Sequence, residues 1–561
     1  MSPVTRTHAR RGITVGAIVA LGAAAAAPAY AAIVDDPITA SAPSAALAVA
    51  PIGTYETGVF DASAAEIVAF HAQTRRLFSV DAEAGHVRVL DVKNPSRPTE
   101  LFALTTAGIV ASDGSTIPAT AEANSVAVRE DGLVVVAVEN DPKTDDGWLA
   151  FFKANGKGKA LGAVRVGAQP DMVTVSPDGA YAVSANEGEP NDAFDVDPEG
   201  SVSVVALPKN EKAPTQADVR TATFHAYEGA ALPAGVRVFG PTVGDGHPVS
   251  RNLEPEYVAV DPASATAYVT VQEANAVAVV DLRSATVSDL FSLGAKDFSA
   301  AGNGIDPSDK DKAIAIRTVP VKGLYMPDSI ASYEVDGATY LVTANEGDSR
   351  DDWGGYEEST RVADLADEGL LCDGLLTDAQ LDKKDLGRLK VSTASGFDAS
   401  TGCYDELYAF GGRSFSIWTT SGAQVFDSGD DFERITAEAV PAFFNASNDA
   451  SGFDDRSDDK GPEPEGVTVG EVDGRTYAFV GLERVGGVMV YDITDPAAAA
   501  FVTYVNNRDF GADPGTGAAG DLGPEGLAFI PAEDSPTRAP LLAVGNEVSG
   551  TTTVFSITPQ R

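Results

Sequence analysis

The sequence predicts an all-β protein, a seven-bladed β-propeller with a small helical insertion in blade five. One strand-and-turn grammar recurs seven times along the 561 residues. Its turns carry hairpin signals, and each unit is too small to bury its own apolar face, so closing a ring of sheets is the economical solution. The clearest copy is 461–496, GPEPEGVTVGEVDGRTYAFVGLERVGGVMVYDITDP. Residues 467–469 alternate as a first strand, Asp473-Gly474 supplies a hairpin turn, and 476–480 continue as a second strand. A turn at Glu483 and Gly486-Gly487 leads into a third strand, 488–491, which Asp492 and Pro496 end. Antiparallel meanders of this kind favour a ring over a parallel solenoid, whose rungs are single strands.

Taken in order, residues 1–31 read as a signal peptide. Arg10-Arg11, an apolar run from Ile13 to Ala27 and Ala29-Tyr30-Ala31 follow the charged, apolar and small-residue order of a cleaved export signal, served by the general secretory or the twin-arginine route. The run is shorter than the ~17 residues needed to span a bilayer. Residues 32–50 form a linker or a ring-closing segment, and 51–561 form a single propeller domain. Unit one covers 66–90, unit two 124–166, unit three starts at Pro170-Asp171, and unit four at Pro255-Glu256. Unit five starts at Pro327-Asp328 and is interrupted by an insertion, 352–412; unit six is the template; unit seven starts at Pro524-Glu525. Surplus chain lies at 208–252, 295–323, 351–412 and 430–461. Within the insertion, 377–389 predicts a helix with Thr377 as N-cap and Leu381, Leu386 and Leu389 on one face.

Composition narrows the partners. Forty Lys and Arg against 82 Asp and Glu give a net charge of −42, which repels phosphate backbones and anionic lipid. Nucleic-acid binding and membrane insertion are therefore not expected, and neither is an anchor near the C-terminus; a secreted monomer meeting an extracellular ligand or small molecule is. The two cysteines, Cys372 and Cys403, fall in the insertion and, in an oxidising compartment, predict a disulfide.

Two sets of acids recur with the repeat. Glu66, Asp171, Glu256, Asp328, Glu465 and Glu525 open the first strands, with Asn124 standing in for unit two. Glu83, Glu139, Glu187, Glu273, Glu346, Glu483 and Glu547 occupy the turn after the second strand. Equivalent blades would place both sets around one face, where carboxylates with Asn side chains suit calcium, a hard cation with oxygen ligands of flexible number. Acids beside Pro and Gly also form turns and cap strands. Four loops are richer still: Glu187, Glu189, Asn191 and Asp192 with Asp195 and Asp197; Asp306, Asp309 and Asp311; Glu346 and Asp348 with Asp351 and Asp352; and Asp454, Asp455, Asp458 and Asp459 with Glu463 and Glu465. Like charges this close favour a cation among them. The candidate metal ligands are Glu187, Glu189, Asp192, Glu346, Asp348, Asp351, Glu463, Glu465, Glu483 and Glu525. Arg350 and Arg484, with Arg456 nearby, are candidate anion binders or partners in salt bridges to the same acids. Five scattered histidines lack zinc-ligand spacing, and no nucleophile elbow or P-loop is present.

The segments SANEGEPND, LEPEYVAV, GNGIDPSDKD, MPDSIASY, TANEGDSRDDW, FGGRSFSIW, DDKGPEPEGVTV, GLERVGGVMVYDITDP and GDLGPEGLAFIP fall in order along 53–557. In these the chain resembles the choice-of-anchor I proteins, themselves similar to quinoprotein-like and YVTN-type β-propellers. The resemblance implies a secreted domain fixed to cell surfaces by varied C-terminal devices. Relatives are labelled alkaline phosphatase or likened to calcium-dependent propeller phytases. The leading expectation is a calcium-binding extracellular interaction module. The alternative is a calcium-dependent phosphoester hydrolase built on Glu187, Asp348, Asp351, Glu465 and Arg350. A quinone-bearing redox propeller is the weakest, since no Cys–Trp cofactor precursor is apparent.

Overall fold

Short β-rich segments separated by Gly, Asp and Asn turns mostly pair with their sequence neighbours. The computed structural model describes residues 33–229, 232–241, 248–351 and 355–560, all within one compact unit, 31–561. The expected signal peptide lies outside the described residues. Among those described, strands form seven antiparallel sheets of four or five strands. Their first strands are Val68–His71, Glu122–Val128, Pro170–Val175, Pro255–Val260, Ile330–Val335, Pro464–Val472 and Pro524–Ile530. Each touches the next in that order, and the last touches the first.

Packing shows the same closure. A separate apolar core fills every junction between successive sheets. Phe78, Val136 and Trp148 join sheets one and two; Val166, Val173 and Val205 join two and three; Val204 and Val269 join three and four. Tyr268, Leu341 and Trp418 join four and five, Phe415 and Tyr491 join five and six, and Phe479 and Leu542 join six and seven. Leu77, Ile530 and Ala543 join seven to one. The result is a propeller-like ring of all-β structure with few helices. Among the described residues no helix is long and apolar enough to cross a membrane.

The ends of the chain meet. Leu47–Glu56 pairs antiparallel with Thr551–Pro559 as the outer strand of sheet seven, and Ile38–Ser41 adds a fifth strand to sheet six beside Ala500–Asn506. That outer strand starts within 32–50 and runs past residue 50 to Glu56. In the template unit, Asp473 and Gly474 take φ values of 52° and 76° between Pro464–Val472 and Arg475–Leu482, as a two-residue hairpin turn requires.

The insertion lies between Ala338–Asn345 and Ser414–Thr419 of sheet five. It is largely irregular and carries its own core of Val362, Leu386, Leu389, Val391 and Tyr404 with Phe298 and Val321 from the preceding connection. Cys372 and Cys403 are disulfide-bonded there. The expected helix over 377–389 is a run of turns instead. Thr377 does cap a turn, its backbone carbonyl accepting the Gln380 and Leu381 amides, but the Leu386 amide then reaches back six residues to Gln380. Gly387 packs so close to the Leu381 carbonyl that the chain folds over rather than winding on. The leucines reach the predicted common core without a helix. The insertion's helix is Val362–Asp367, and a second one, Asp431–Ala439, lies in the connection between sheets five and six.

Candidate functional site: a carboxylate-lined axis

Each first strand begins by delivering an acid toward the centre of the ring. In sheets three, four, six and seven the pairing register slips across the acid, between Pro170 and Val173, Pro255 and Val258, Pro464 and Val467, and Pro524 and Leu527. Such a bulge re-aims a side chain that regular alternation would send elsewhere. Proline, lacking an N–H, suits the start of such a strand. Bare backbone completes the arrangement: a Cβ on Gly466, directly after Glu465, would sit 1.8 Å from the Glu525 carbonyl oxygen, and one on Gly545, in the second strand of sheet seven, 1.8 Å from that of Glu66. Only bare backbone lets neighbouring sheets approach so closely at the axis.

The turn acids are presented by a different device. Asn186 donates to Ser201 and Ser203, and Asn345 donates to Ser414 and Ser416, each locking the end of the second strand onto the third. Glu187, Glu346, Glu483 and Glu547 directly follow those second strands. These asparagines act as structural struts. Glu83 lies two residues beyond its strand, Arg76–Asp81, and is exposed, so unit one contributes no turn acid to the cluster.

The first-strand acids converge. Asp171 of sheet three raises the proton affinity of Glu66, Glu256, Asp328 and Glu525, which belong to sheets one, four, five and seven. Such reach is possible only where all face one axis. Burial is the leading cause of the upward shift in every case, with neighbouring carboxylates adding to it. Asp171 is pushed up to about 7, by burial and then by Glu189. Glu66, Asp171, Asp328, Glu465 and Glu525 keep part of their surface open although they sit deep in the protein, as side chains lining a narrow axial channel do. None of these acids, nor Glu256, forms an ion pair among the described residues.

Two carboxylate trios stand out, each with one oxygen per residue within 4.8 Å of the others: Glu66, Glu525 and Glu547; and Glu346, Glu463 and Glu483. They differ in charge balance. Lys460 Nζ lies 2.6 Å from Glu346 and 3.0 Å from Glu463, Arg456 Nη2 lies 2.6 Å from Glu463, and Arg484 lies 3.0 Å from both Glu463 and Glu483. Burial alone would raise Glu463, but Arg456, Arg484 and Lys460 hold it well below the ordinary carboxylate range. Three bases already neutralise three acids there. In the first trio neither Glu66 nor Glu525 forms an ion pair among the described residues, and Glu525 Oε2 is buried without a hydrogen-bond partner, as is Glu465 Oε2 beside it.

The other candidates fall as follows. Glu187 accepts from Gln169 Nε2 and is raised by burial, then by Glu189; Glu189 pairs with Lys143 at 2.5 Å. Asp348 opens toward solvent beside Glu346 and Lys460. Asp351 ties its own loop, accepting the Ser359 amide at 2.8 Å and the Ser349 hydroxyl at 3.0 Å. Asp192 is exposed at the edge of the 187–199 loop, away from the trios. Arg350 is buried, pairs with Glu254, donates to the Asn252 and Phe239 carbonyls and lies 4.6 Å over the Phe239 ring. Arg484 is engaged by Glu463 and Glu483. Both guanidinium groups named as anion binders are thus committed to carboxylates of the protein itself. Sequence reasoning missed Lys460 and Glu254; only the basic residues beside the acid-rich loops hinted at them. Truncating Arg350 to Ala leaves Glu254 buried without its partner, and urea unfolding is expected to show a loss of about 3–5 kcal/mol.

Residues 66–496 match the choice-of-anchor I domain family. The chain is 32% identical over 279 residues to the mesenchyme-specific cell surface glycoprotein of Strongylocentrotus purpuratus, covering 44% of this chain and 36% of that protein. It is 32% identical over 184 residues to Gigasin-3a of Magallana gigas, covering 31% and 64%. The chain thus spans less than two thirds of the length of either relative. Solved structures show only a loose likeness: Kuenenia stuttgartiensis hydrazine synthase has a TM-score of 0.43 at 12% identity, covering 89% of this chain and 98% of that one. The WD40 domain of Toxoplasma gondii coronin has a TM-score of 0.43 at 9% identity, covering 94% and 90%. The family match takes in the first-strand acids of sheets one, three, four, five and six and stops short of sheet seven, and with it the chain belongs to the choice-of-anchor I domain family.

Proposed function

We propose that the protein is an extracellular binding module, a seven-bladed propeller in which each sheet is one blade and the axial carboxylates hold calcium. The carrying observation is the Glu66–Glu525–Glu547 trio, whose oxygens lie within 4.8 Å of one another without a basic partner for Glu66 or Glu525. Calcium takes six to eight oxygens at about 2.3–2.6 Å, so three converging carboxylate oxygens with Glu465 nearby suit its donor set, and water and backbone carbonyls complete it. When bound, the ion supplies positive charge to an otherwise repulsive axis and a coordination site open to a ligand from the channel mouth. The disulfide supports an oxidising compartment, and the likeness to a cell surface glycoprotein supports an extracellular setting. No observation favours the phosphoester hydrolase, since Arg350 is spent on Glu254.

Calorimetric titration of calcium into metal-free protein tests this. Saturable binding is expected, weakened at least ~10-fold in Glu525→Gln, in which one anionic donor is lost. Absence of binding heat, together with no rise in melting temperature at millimolar calcium, overturns the reading.

A further inference from the structure

A cavity of about 460 Å³ lies at the outer edge of sheet six, away from the axis. Three stretches of chain meet around it: 34–38, which runs into the added strand Ile38–Ser41; 439–443, where the Asp431–Ala439 helix ends; and 508–511, just past Ala500–Asn506. Its volume falls within the ~300–1,000 Å³ usual for small-molecule sites. The apolar walls, Ile38, Val440, Phe443 and Phe510, are continuous with the core between sheets five and six.

Hydrogen bonds hold each wall in place without a ligand. The Val34 amide donates to Asn507 Oδ1 at 3.1 Å, and Asn507 Nδ2 donates to Asp521 at 2.9 Å. The Val440 amide reaches the Thr436 carbonyl at 2.8 Å and the Phe443 amide the Val440 carbonyl at 2.9 Å, which fixes the turn that carries Phe443. Arg508, only 2% exposed, anchors the third wall: Nη1 donates to the Arg484 carbonyl at 2.9 Å, and Nη2 to those of Ser447 and Ala450 at 2.8 and 3.0 Å. Its guanidinium lies 4.3 Å from the centre of the Phe510 ring, and Phe510 stacks on Phe443 at 4.8 Å and 11°. Arg508 thus braces the aromatic wall and spends its Nη donors on backbone. A pocket held this way spares a ligand the cost of ordering it.

Asp35, Asp36 and Asp509 also line the cavity and are exposed, so they sit where it opens to solvent. None of the three forms an ion pair among the described residues, and Asp509 Oδ1 accepts the Gly511 amide at 2.8 Å. We propose that the cavity binds a small organic ammonium, its aryl or branched alkyl body against Phe443 and Phe510 and its charged nitrogen among Asp35, Asp36 and Asp509. The apolar body meets aromatic side chains, and the cation meets three carboxylates and the rim of an aromatic wall. An anion of the same shape meets those carboxylates before it reaches Arg508, whose Nη donors are already taken. The net charge of −42 gathers any cation near the surface, so a test has to separate the cavity from that general field.

Saturation-transfer NMR of phenethylammonium titrated into the full mature chain reads this site. Saturable binding is expected, with a dissociation constant of about 1 mM or tighter. The neutral analogue, phenethyl alcohol, is expected to bind about fivefold more weakly, and the anion hydrocinnamate not at all. Phe443→Ala removes part of the aromatic wall without changing charge and weakens the ammonium at least about tenfold. The double variant Asp36→Asn, Asp509→Asn weakens it about fivefold while moving the net charge by only two, too little to alter the general attraction. It changes only exposed side chains, so its result stands even where Phe443→Ala loosens the fold. Undiminished binding in both variants shows attraction to an acidic surface alone and overturns the proposal. So does hydrocinnamate binding as tightly as the ammonium, or an ammonium signal in wild type that never saturates.

Discussion

A chain lacking residues 33–56 is expected to lose its cooperative unfolding transition. Those residues supply the fourth strand of sheet seven and the fifth of sheet six. Leu47 and Val49 are fully buried in the core between those two sheets, beside Tyr477, Phe479, Val490 and Phe555. Burying two such side chains contributes about 1.5–3 kcal/mol each. Losing the whole ladder to Thr551–Pro559 as well removes a large part of the ~5–15 kcal/mol that stabilises a typical domain. It also bares a nine-residue edge strand, open to pairing with other chains. Differential scanning calorimetry of the truncated chain should show no sharp endotherm, and size-exclusion chromatography should show aggregates. A synthetic 33–58 peptide added during refolding should restore both. A truncated chain that melts at the wild-type temperature would show that the ring does not depend on its N-terminal closure.

The second large effect is on pH. Ordinary carboxyls titrate near 4, but Asp171 is held at about 7 and Glu273 at about 8, the latter by burial and then by Glu254, against Arg350. Between about pH 4 and 8 the folded protein therefore binds more protons than the unfolded chain, and stability falls as pH rises. The stabilisation is complete below the unfolded values and gone above about pH 8. Because coupled acids share protons, the total is on the order of 4 kcal/mol between pH 5 and 8 rather than a sum over every acid. Glu463 has the opposite sign: its stabilisation is present above the ordinary carboxyl value and is lost only as pH falls through its lowered one. It does not offset the trend at neutral pH. Melting in buffers stripped of metal over chelating resin should thus drop steadily from pH 5 to pH 8, and calcium should flatten the curve by replacing protons among the acids. A stability that rises with pH in metal-free buffer would contradict the picture of unbalanced axial carboxylates.

Much of this was readable in the chain. The Asp473-Gly474 turn and the alternation around it located the template strands, and the recurring Pro-acid and Asn-Glu pairs marked where each unit begins and turns. What periodicity could not show is that the Pro-acid step is a bulge, because a register slip depends on the partner strand. It also could not separate Glu346–Glu463–Glu483, which Lys460, Arg456 and Arg484 neutralise, from Glu66–Glu525–Glu547, where neither Glu66 nor Glu525 forms an ion pair among the described residues. Long-range charge pairing has no local signature. The fourth strands, such as Thr99–Thr105 and Val219–Thr223, were lost among polar outer-edge residues and surplus chain for the same reason. The 377–389 helix failed because leucines at helical spacing reach a common core equally well through consecutive turns.

The most direct test of the axial site is an anomalous difference map from crystals of the mature protein grown with terbium, an oxygen-seeking substitute for calcium. The account requires a strong peak within coordination distance of Glu66, Glu525 and Glu547, absent from crystals of Glu525→Gln. A channel without a peak, in crystals whose only terbium lies on exposed surface carboxylates, would contradict it.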